Sequence, residues 1–391
     1  MIARNIQDFL KKDSFQGALL IFITLLALFF QNSALSSYYT GFLHTPVEIR
    51  IGALHIAKPL LLWVNDGLMA IFFLVVGLEI KREVIEGHLS SLSQATLPAI
   101  AAIGGMIIPA LFFTAFNHGD AFAIKGWAIP TATDIAFALG ILSLLGNRVP
   151  LSLKIFLMAL AIIDDLGAIV IIALFYTEKL SHLSISIAAL SMIVLFIMNR
   201  MGVMRKAAYM MVGVILWVSV LKSGVHATLA GVTLAFFIPL HSTNKKGERF
   251  SIAHELEHDL HYWVAFLILP LFAFVNAGVD LRNISPGGMG ESVPLGIMAG
   301  LFFGKQMGVF LFSWTAIKLG FAKLPKESTW LQLYGVALLT GIGFTMSLFV
   351  DTLAYNDTEL FHYADKLAIL LGSLFSGVAG YVVLKIATRK V

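Results

Sequence analysis

The sequence has no cysteine among its 391 residues and few charged residues of either sign. The absence of thiols excludes disulfides, thiolate metal sites and thiol chemistry. Asp, Glu, Lys and Arg together make up 13% of the chain, against about 25% in an ordinary soluble domain. Hydrophobic residues make up 58%, and the mean hydropathy is +0.87. This composition excludes a water-soluble fold and predicts a membrane protein.

Apolar runs of nearly 20 residues recur along the whole chain. A helix needs about 20 residues to cross roughly 30 Å of hydrocarbon, so the runs predict an all-α polytopic membrane protein with a single transmembrane domain over 1–391. Twelve spans are expected, near 15–31, 59–80, 95–116, 121–145, 151–175, 182–199, 205–221, 224–240, 257–278, 291–316, 328–350 and 363–386.

The two ends of the chain are short tails, about 1–14 and 387–391. Because Ile2–Ser14 is polar and the run Gly17–Phe30 has no small-residue cleavage site behind it, we expect a retained first helix and no cleaved signal. An even number of spans places both tails on one side, where most of the 27 Lys and Arg also fall. The positive-inside rule therefore predicts cytoplasmic termini.

A loop at about 45–58 carries a different pattern. Val47–Ile51 alternates apolar and charged residues, Gly52 follows as a turn residue, and apolar residues resume through Ile56. A period of two on both sides of a turn predicts a small β-hairpin on the external side.

Two adjacent carboxylates, Asp164 and Asp165, lie in the middle of the fifth span, between Pro150 and Tyr176. Charges in the hydrocarbon region cost about 3 kcal/mol or more at a helix centre, so each suggests a function. Carboxylates suit a hard cation and also bind protons, so Na⁺ and H⁺ would compete for them. The structural alternative is a salt bridge or a protonated hydrogen-bonded pair.

Two other spans carry signs of a break. Pro130, Thr133 and Asp134 interrupt the fourth span, because proline removes a donor and Thr and Asp compete for backbone hydrogen bonds. The segment Thr340–Thr345 contains two glycines in the eleventh span. Two interrupted spans in comparable places predict inverted repeats and a site at mid-membrane. Asp134 would then compensate a helix dipole, or serve only as a structural cap.

The tenth span contains Lys305 and a glycine at every fourth residue from Gly296 to Gly308. Such a face lets helices approach closely and would hold Lys305 against a carboxylate, for which we favour Asp164. The alternative is a lysine whose side chain reaches the membrane interface.

One motif points to a different function. His254-Glu255-Leu-Glu257-His258 matches the H-E-x-x-H zinc pattern, with His261 and Asp280 as conceivable further ligands, and raises an intramembrane metalloprotease as the alternative. The motif lies at the cytoplasmic interface and leaves the carboxylates in the spans unexplained. A helix end that responds to protons is favoured, and a merely solvated interface is the other reading. An aspartyl intramembrane protease that pairs Asp134 with Asp164 is a second enzyme alternative, but the chain lacks the glycine-flanked aspartate motif that such enzymes use. A cation channel is a further alternative.

Several motifs together resemble the NhaA-type sodium/proton antiporter family. They are Asn65-Asp66-Gly67-Leu-Met, Gly77-Leu-Glu79-Ile-Lys-Arg82-Glu83, Pro130-Thr-Ala-Thr133-Asp134, Ile163-Asp164-Asp165-Leu-Gly, Lys222-Ser-Gly-Val-His226-Ala-Thr, Leu269-Pro-Leu-Phe-Ala-Phe-Val-Asn276-Ala-Gly, Gly304-Lys305-Gln and Gly341-Ile-Gly343-Phe-Thr. Inverted repeats with broken helices are the known architecture of this family. The inverted repeats predicted from the two interrupted spans are therefore not independent of the resemblance.

The resemblance implies twelve helices, crossing broken fourth and eleventh helices, and a homodimer formed through the hairpin Val47–Ile56. It implies that Asp164, Asp165 and Thr133 bind Na⁺ or Li⁺, that Asp134 compensates helix dipoles, and that Lys305 partners Asp164 in proton transfer. It also implies activation at alkaline pH. The matching sensor or funnel residues are Glu79, Arg82, Glu83, Glu257, His258 and His261, with Asp66 and His226 on the external side.

The expected activity is electrogenic extrusion of Na⁺ or Li⁺ in exchange for H⁺ by alternating access, in a bacterial inner membrane. The resemblance implies a transporter and not an enzyme. The expected partners are the transported ions and membrane lipid, and neither a cofactor nor a nucleic acid is expected. The chain departs from the family at His254 and Glu255, where basic residues are usual, so its pH threshold is not carried over.

Overall fold

The computed structural model describes residues 13–52, 54–177, 181–243, 249–282, 284–285, 287–355 and 363–389. The predicted N-terminal tail lies almost wholly outside the described residues, as do the last two residues of the C-terminal tail.

The described chain is mostly helical. Its helices are α1 (Asp13–Asn32), α2 (Ser36–Leu43), α3 (Leu60–Ile85), α4 (Leu92–Asn117), α5 (Ile135–Leu144), α6 (Leu151–Phe175), α7 (His182–Arg200), α8 (Lys206–Leu221), α9 (Leu229–Phe237), α10 (Ile252–Asn276), α11 (Ser292–Lys318), α12 (Trp330–Leu339), α13 (Phe344–Tyr355) and α14 (Ala364–Ala387). A 3₁₀ helix, Ala123–Thr131, precedes α5, and short 3₁₀ turns lie at His88–Ser90, Gly146–Arg148 and Gly288–Gly290.

Nine helical segments in the described residues are long and apolar enough to cross a membrane, or ten if the bent pair α12 and α13 is one span. The twelve predicted ranges all overlap helices, but the ranges 205–221 and 224–240 contain helices of only 16 and 9 residues. The structure therefore shows a multi-pass helical protein, and the count of twelve stays a prediction.

Both predicted interruptions are present. In the fourth span, the 3₁₀ helix ends at Thr131, and Ala132 and Asp134 are extended before α5 begins. In the eleventh span, α12 and α13 are bent by 43° at the break Thr340–Gly343. Proline and glycine at these points weaken the helical hydrogen bonding, as the sequence predicted.

The predicted hairpin is also present. Strands β1 (Pro46–Ile51) and β2 (Leu54–Pro59) are antiparallel, and Gly52 in the turn has a φ of 57°, which favours glycine. A second antiparallel pair, β3 (Ser242–Thr243) and β4 (Arg249–Phe250), has no counterpart in the sequence prediction because its strands are only two residues long.

The helices form two compact units. The first unit comprises Met1–Ser36, His88–Ala168 and Asn276–Val391, and the second comprises Ser37–Gly87 and Ile169–Val275. Within the first unit, a Cβ on Gly308 of α11 would lie 2.1 Å from Gly104 O of α4, so only glycine permits this approach. The predicted glycine face of the tenth span therefore packs against α4.

Candidate functional site

The two adjacent carboxylates are buried in the middle of α6, within the first unit. Asp164 is 2% exposed and Asp165 is 5% exposed. The helix is apolar on both sides of the pair, so neither carboxylate caps a helix end. Burying a carboxylate is favourable only when a cation or several donors compensate it.

Lys305 supplies a cation. Its Nζ donates to Asp164 Oδ2 at 2.6 Å, and its side chain is fully buried. A lysine that reached toward an interface would be exposed at its ammonium group, so the geometry does not fit that alternative. Lys305 lies immediately after a π-helical turn, Gly300–Gly304, in α11.

Thr133 provides a further oxygen at the same point. Its Oγ1 is 2.7 Å from Asp164 Oδ2 and 2.9 Å from Thr340 O, at the end of α12. The two interrupted spans and the buried carboxylate of α6 therefore meet at one hydroxyl. Asp164 Oδ1 is buried without a hydrogen-bond partner in the described part of the chain, so one acceptor atom of this carboxylate is unsatisfied.

Asp134 lies where two half-helices begin. Its Oδ1 accepts from Phe137 N at 3.0 Å in the first turn of α5. Its Oδ2 accepts from Thr345 N at 3.1 Å in the first turn of α13, and from Thr345 Oγ1. One carboxylate therefore caps two helix N-termini, where a negative charge is favourable. These contacts fit both the dipole-compensating role and the structural cap predicted for Asp134.

The carbonyl ends facing these N-termini are also satisfied. Ser347 Oγ donates to Ile129 O at 2.7 Å, and Asp134 N donates to Ile342 O at 2.6 Å. Broken helices are tolerated inside a membrane only where such partners exist. Ser347 and Thr345 were not singled out as site residues, because a hydroxyl in an apolar run gives no signal of its partner.

The second unit contains the residues that the resemblance assigns to pH sensing or to the external side. Arg82 Nε lies 3.1 Å and 3.2 Å from the two oxygens of Glu257, and Arg82 Nη1 donates to Glu83 Oε1 at 2.6 Å. Glu79 is half-buried on the same helix, α3. His258, with a side chain 92% exposed, and the exposed His261 lie on α10 outside this ionic cluster.

Asp66 and His226 occupy separate places in the second unit. Asp66 pairs with Lys58 of the hairpin at 2.6 Å, and its carbonyl accepts from Trp217 Nε1 at 3.0 Å. His226 is half-buried in the segment between α8 and α9.

The residues of the zinc-like motif have other partners. His254 Nε2 lies 3.1 Å from Glu86, and Glu255 lies 2.8 Å from Lys206. Asp280 accepts from Arg282 Nε at 2.9 Å, a hydrogen bond that lowers the pKa of Asp280. Within the ranges that the structure describes, no group of three or more His, Asp or Glu side chains has a geometry that would hold a metal ion.

Two buried carboxylates, Asp351 and Asp365, were not predicted from the sequence, and Asp365 is 4% exposed at the start of α14. Asp351 is 2% exposed on α13, one residue beyond the predicted end of the eleventh span at 350. The helix continues to Tyr355, whose hydroxyl donates to Ala123 O at 2.7 Å. The signal was available, because Thr352, Leu353 and Ala354 extend the helical pattern past the carboxylate.

Comparison with known proteins finds similarity over almost the whole chain. The sequence model of the family described as "Na+/H+ antiporter 1" matches residues 7–384. Three similar proteins are each described as "Na(+)/H(+) antiporter NhaA". The relative from a Sulfurovum species is 74% identical over 99% of this chain and 98% of its own. The relative from a Nitratiruptor species is 67% identical over 96% of each chain. The relative from Campylobacter concisus is 58% identical over 98% of this chain and 94% of its own.

Proposed function

The chain belongs to the Na+/H+ antiporter 1 family, and from this premise we propose that Asp164, Asp165 and Thr133 bind the Na⁺ or Li⁺ ion that it exchanges for protons. The protein is a sodium/proton antiporter, a transporter and not an enzyme, and it crosses the membrane several times. The metalloprotease alternative is not favoured. The observation that carries the proposal is the contact of Asp164 Oδ2 with both Lys305 and Thr133 in a fully buried site.

The cation site follows from the oxygens present. A hard cation prefers carboxylate, hydroxyl and carbonyl oxygens, and the unsatisfied Asp164 Oδ1, Thr133 Oγ1 and Thr340 O offer all three types. The carboxylates also bind protons. Na⁺ and H⁺ therefore compete for one site, which is the minimal requirement for exchange.

Lys305 couples the two ions by charge. An ammonium group at 2.6 Å occupies the position that a cation would take beside Asp164, so Na⁺ binding displaces it. A buried lysine without its partner is unfavourable while charged, because the desolvation of the ammonium is then uncompensated. Lys305 therefore releases its proton as Na⁺ enters and takes one up as Na⁺ leaves.

More than one proton per Na⁺ would make the exchange electrogenic. Asp165 is a second carboxylate of the proposed site, so the exchange of more than one proton per Na⁺ is chemically available. Each net charge moved gains about 2.3 kcal/mol per 100 mV of membrane potential. Inside-negative voltage would then drive Na⁺ extrusion by alternating access.

The remaining proposals concern architecture. The two interrupted spans support inverted repeats, which we propose together with twelve spans. Cytoplasmic termini are proposed from the positive-inside rule. A bacterial inner membrane and a homodimer through Val47–Ile56 are proposed from the resemblance to the family. The hairpin Pro46–Pro59 has an exposed Ile49 and Ile51, which suit a contact with a second copy.

The function is tested in proteoliposomes that contain a pH-sensitive dye. After a proton gradient is formed, added Na⁺ or Li⁺ is expected to dissipate it, while K⁺ is not. Clamping the potential to zero with valinomycin and K⁺ should accelerate exchange if net charge moves. Equal responses to all three ions would indicate a channel or leak and would contradict antiport.

The response to pH is expected to have two parts. Competition at Asp164 should raise the apparent KM for Na⁺ as pH falls, with little change in maximal rate. A sensor at Glu79, Arg82, Glu83, Glu257, His258 and His261 would instead change the fraction of active protein and so the maximal rate. The double variant Glu257→Gln with His258→Gln removes the carboxylate that pairs with Arg82. We expect it to alter the maximal-rate profile and to retain the KM profile.

Asp259→Asn is the matched control, because Asp259 lies on the same helix as Glu257 and its carboxylate pairs with Lys206 instead of Arg82. Rates are measured over saturating Na⁺ at several pH values, with membrane insertion checked for each variant. If the KM and the maximal rate of the double variant follow the same pH profiles as those of the parent, the ionic cluster of Arg82, Glu83 and Glu257 is only a solvated interface.

A further inference from the structure

The helix that carries Lys305 is not a regular α-helix. Across Gly300–Gly304 it makes a π turn, in which Lys305 N donates to Gly300 O, five residues earlier. A π turn contains about one residue more than an α turn and so rotates everything that follows by about 100°. The direction in which Lys305 points therefore depends on this turn.

The orientation of the glycines at every fourth residue of α11, from Gly296 to Gly308, also depends on the π turn. In a regular helix, residues spaced by four drift by about 40° at each step, or about 120° from Gly296 to Gly308. Both of these glycines nevertheless face α4, since a Cβ on Gly296 would lie 3.1 Å from Phe113 and one on Gly308 2.1 Å from Gly104 O. The π turn offsets most of the drift. The Lys305 ammonium, which contacts Asp164, lies 3.5 Å from the position that a Cβ on Gly105 would take.

Two side chains hold the π turn. Gln306 is 6% exposed, and its Nε2 donates to Phe302 O inside the turn at 2.6 Å. Its Oε1 accepts from Tyr334 Oη of α12 at 2.5 Å. The ring of Tyr334 packs edge-on against Phe310 at 5.3 Å, so the ring stays in place without its hydroxyl. The amide next to Lys305 thereby connects the π turn to the broken eleventh span.

We infer that Gln306 and Tyr334 are positioning residues for ion exchange, which hold the π turn in the geometry that directs Lys305 at Asp164. The inference rests on the proposed function of Lys305 and Asp164. Neither residue touches the transported ion; both act through the competition between the Lys305 ammonium and Na⁺ for the same carboxylate. A less firmly held Lys305 competes less well.

The test uses Tyr334→Phe, Gln306→Leu and the double variant in proteoliposomes. Loss of the Tyr334 hydrogen bond is expected to lower the KM for Na⁺ by about three- to tenfold, the equivalent of one net hydrogen bond. The rise of KM toward acidic pH should flatten, and the maximal rate should stay within about twofold. Because both residues act through one contact, the double variant should match Gln306→Leu.

Tyr355→Phe is the matched control. It deletes another tyrosine hydroxyl of the first unit, which bonds to Ala123 O away from the π turn, and should leave the KM profile unchanged. The inference is overturned if Tyr334→Phe leaves the KM profile unchanged, as Tyr355→Phe should. It is also overturned if the effects of Tyr334→Phe and Gln306→Leu on KM add in the double variant. Tyr334→Phe keeps the test decisive should Gln306→Leu fail to fold. If Asp164→Asn retains exchange, the proposed function fails; if it is inactive and Tyr334→Phe is normal, only this inference fails.

Discussion

Asp164→Asn is expected to abolish sodium/proton exchange while the protein remains folded and inserted. The substitution keeps the shape of the side chain and removes the negative charge that faces Lys305 and Thr133. Two unit charges about 4 Å apart attract by about 4 kcal/mol at an effective dielectric constant of about 20, which corresponds to roughly a thousandfold in affinity. Neither Na⁺ binding nor its competition with protons would survive that loss.

The measurement combines exchange in proteoliposomes with thermal unfolding at increasing Na⁺. The parent should be stabilised by Na⁺, and Asp164→Asn should not, because only a bound ligand shifts the unfolding equilibrium. Asp165→Asn is expected to abolish exchange as well. Asp280→Asn is the control, since it breaks an ion pair with Arg282 elsewhere in the first unit and should retain exchange. Exchange near the parent rate in either site variant would place the cation site elsewhere.

Lys305→Met is expected to destabilise the protein and to make its stability depend more strongly on Na⁺ than the stability of the parent does. The change keeps an unbranched side chain, one heavy atom shorter, and leaves Asp164 buried without its cation. Breaking a buried ion pair by removing one partner costs about 3 to 5 kcal/mol. Na⁺ at about 100 times its Kd would return about 2.7 kcal/mol, because it takes the place of the ammonium. Coupled proton movement should fall sharply in the same variant.

Thermal unfolding with and without Na⁺, in parallel with exchange rates, checks this expectation. Lys305→Arg should be less destabilised, since it restores a positive charge. Lys81→Met serves as a control, because Lys81 donates to Phe236 O at 2.9 Å in the second unit and has no part in the site. A Lys305→Met protein with parental stability and parental exchange would show that the ion pair is dispensable and would remove the proposed coupling.

Several features of the site followed directly from residue types. Asp164, Asp165 and Lys305 stood out because charge in a long apolar run is costly and therefore rare. The two breaks were visible because proline, threonine and glycine interrupt helices locally. The hairpin was visible because period-two alternation around Gly52 is also a local signal.

Other features depended on atoms distant in the chain. Nothing near Tyr334 indicates that its hydroxyl meets Gln306, and nothing near Gly300 indicates a π turn, because both arise from packing between spans. Asp351 was missed through an error of a few residues in a helix end. The ranges 205–221 and 224–240 contain shorter helices than a membrane span needs, which hydropathy averaged over a window does not reveal.

The membrane environment, the family and the charged residues in the spans could be read from composition and from motifs of neighbouring residues. The sharing of one Asp164 oxygen by Lys305 and Thr133, the capping of two half-helices by Asp134 and the π turn before Lys305 could be seen only in the folded chain. This difference arises because charge is buried in a medium without water. Each buried group must find its partner within hydrogen-bond distance, and which partner it finds depends on how separate spans pack.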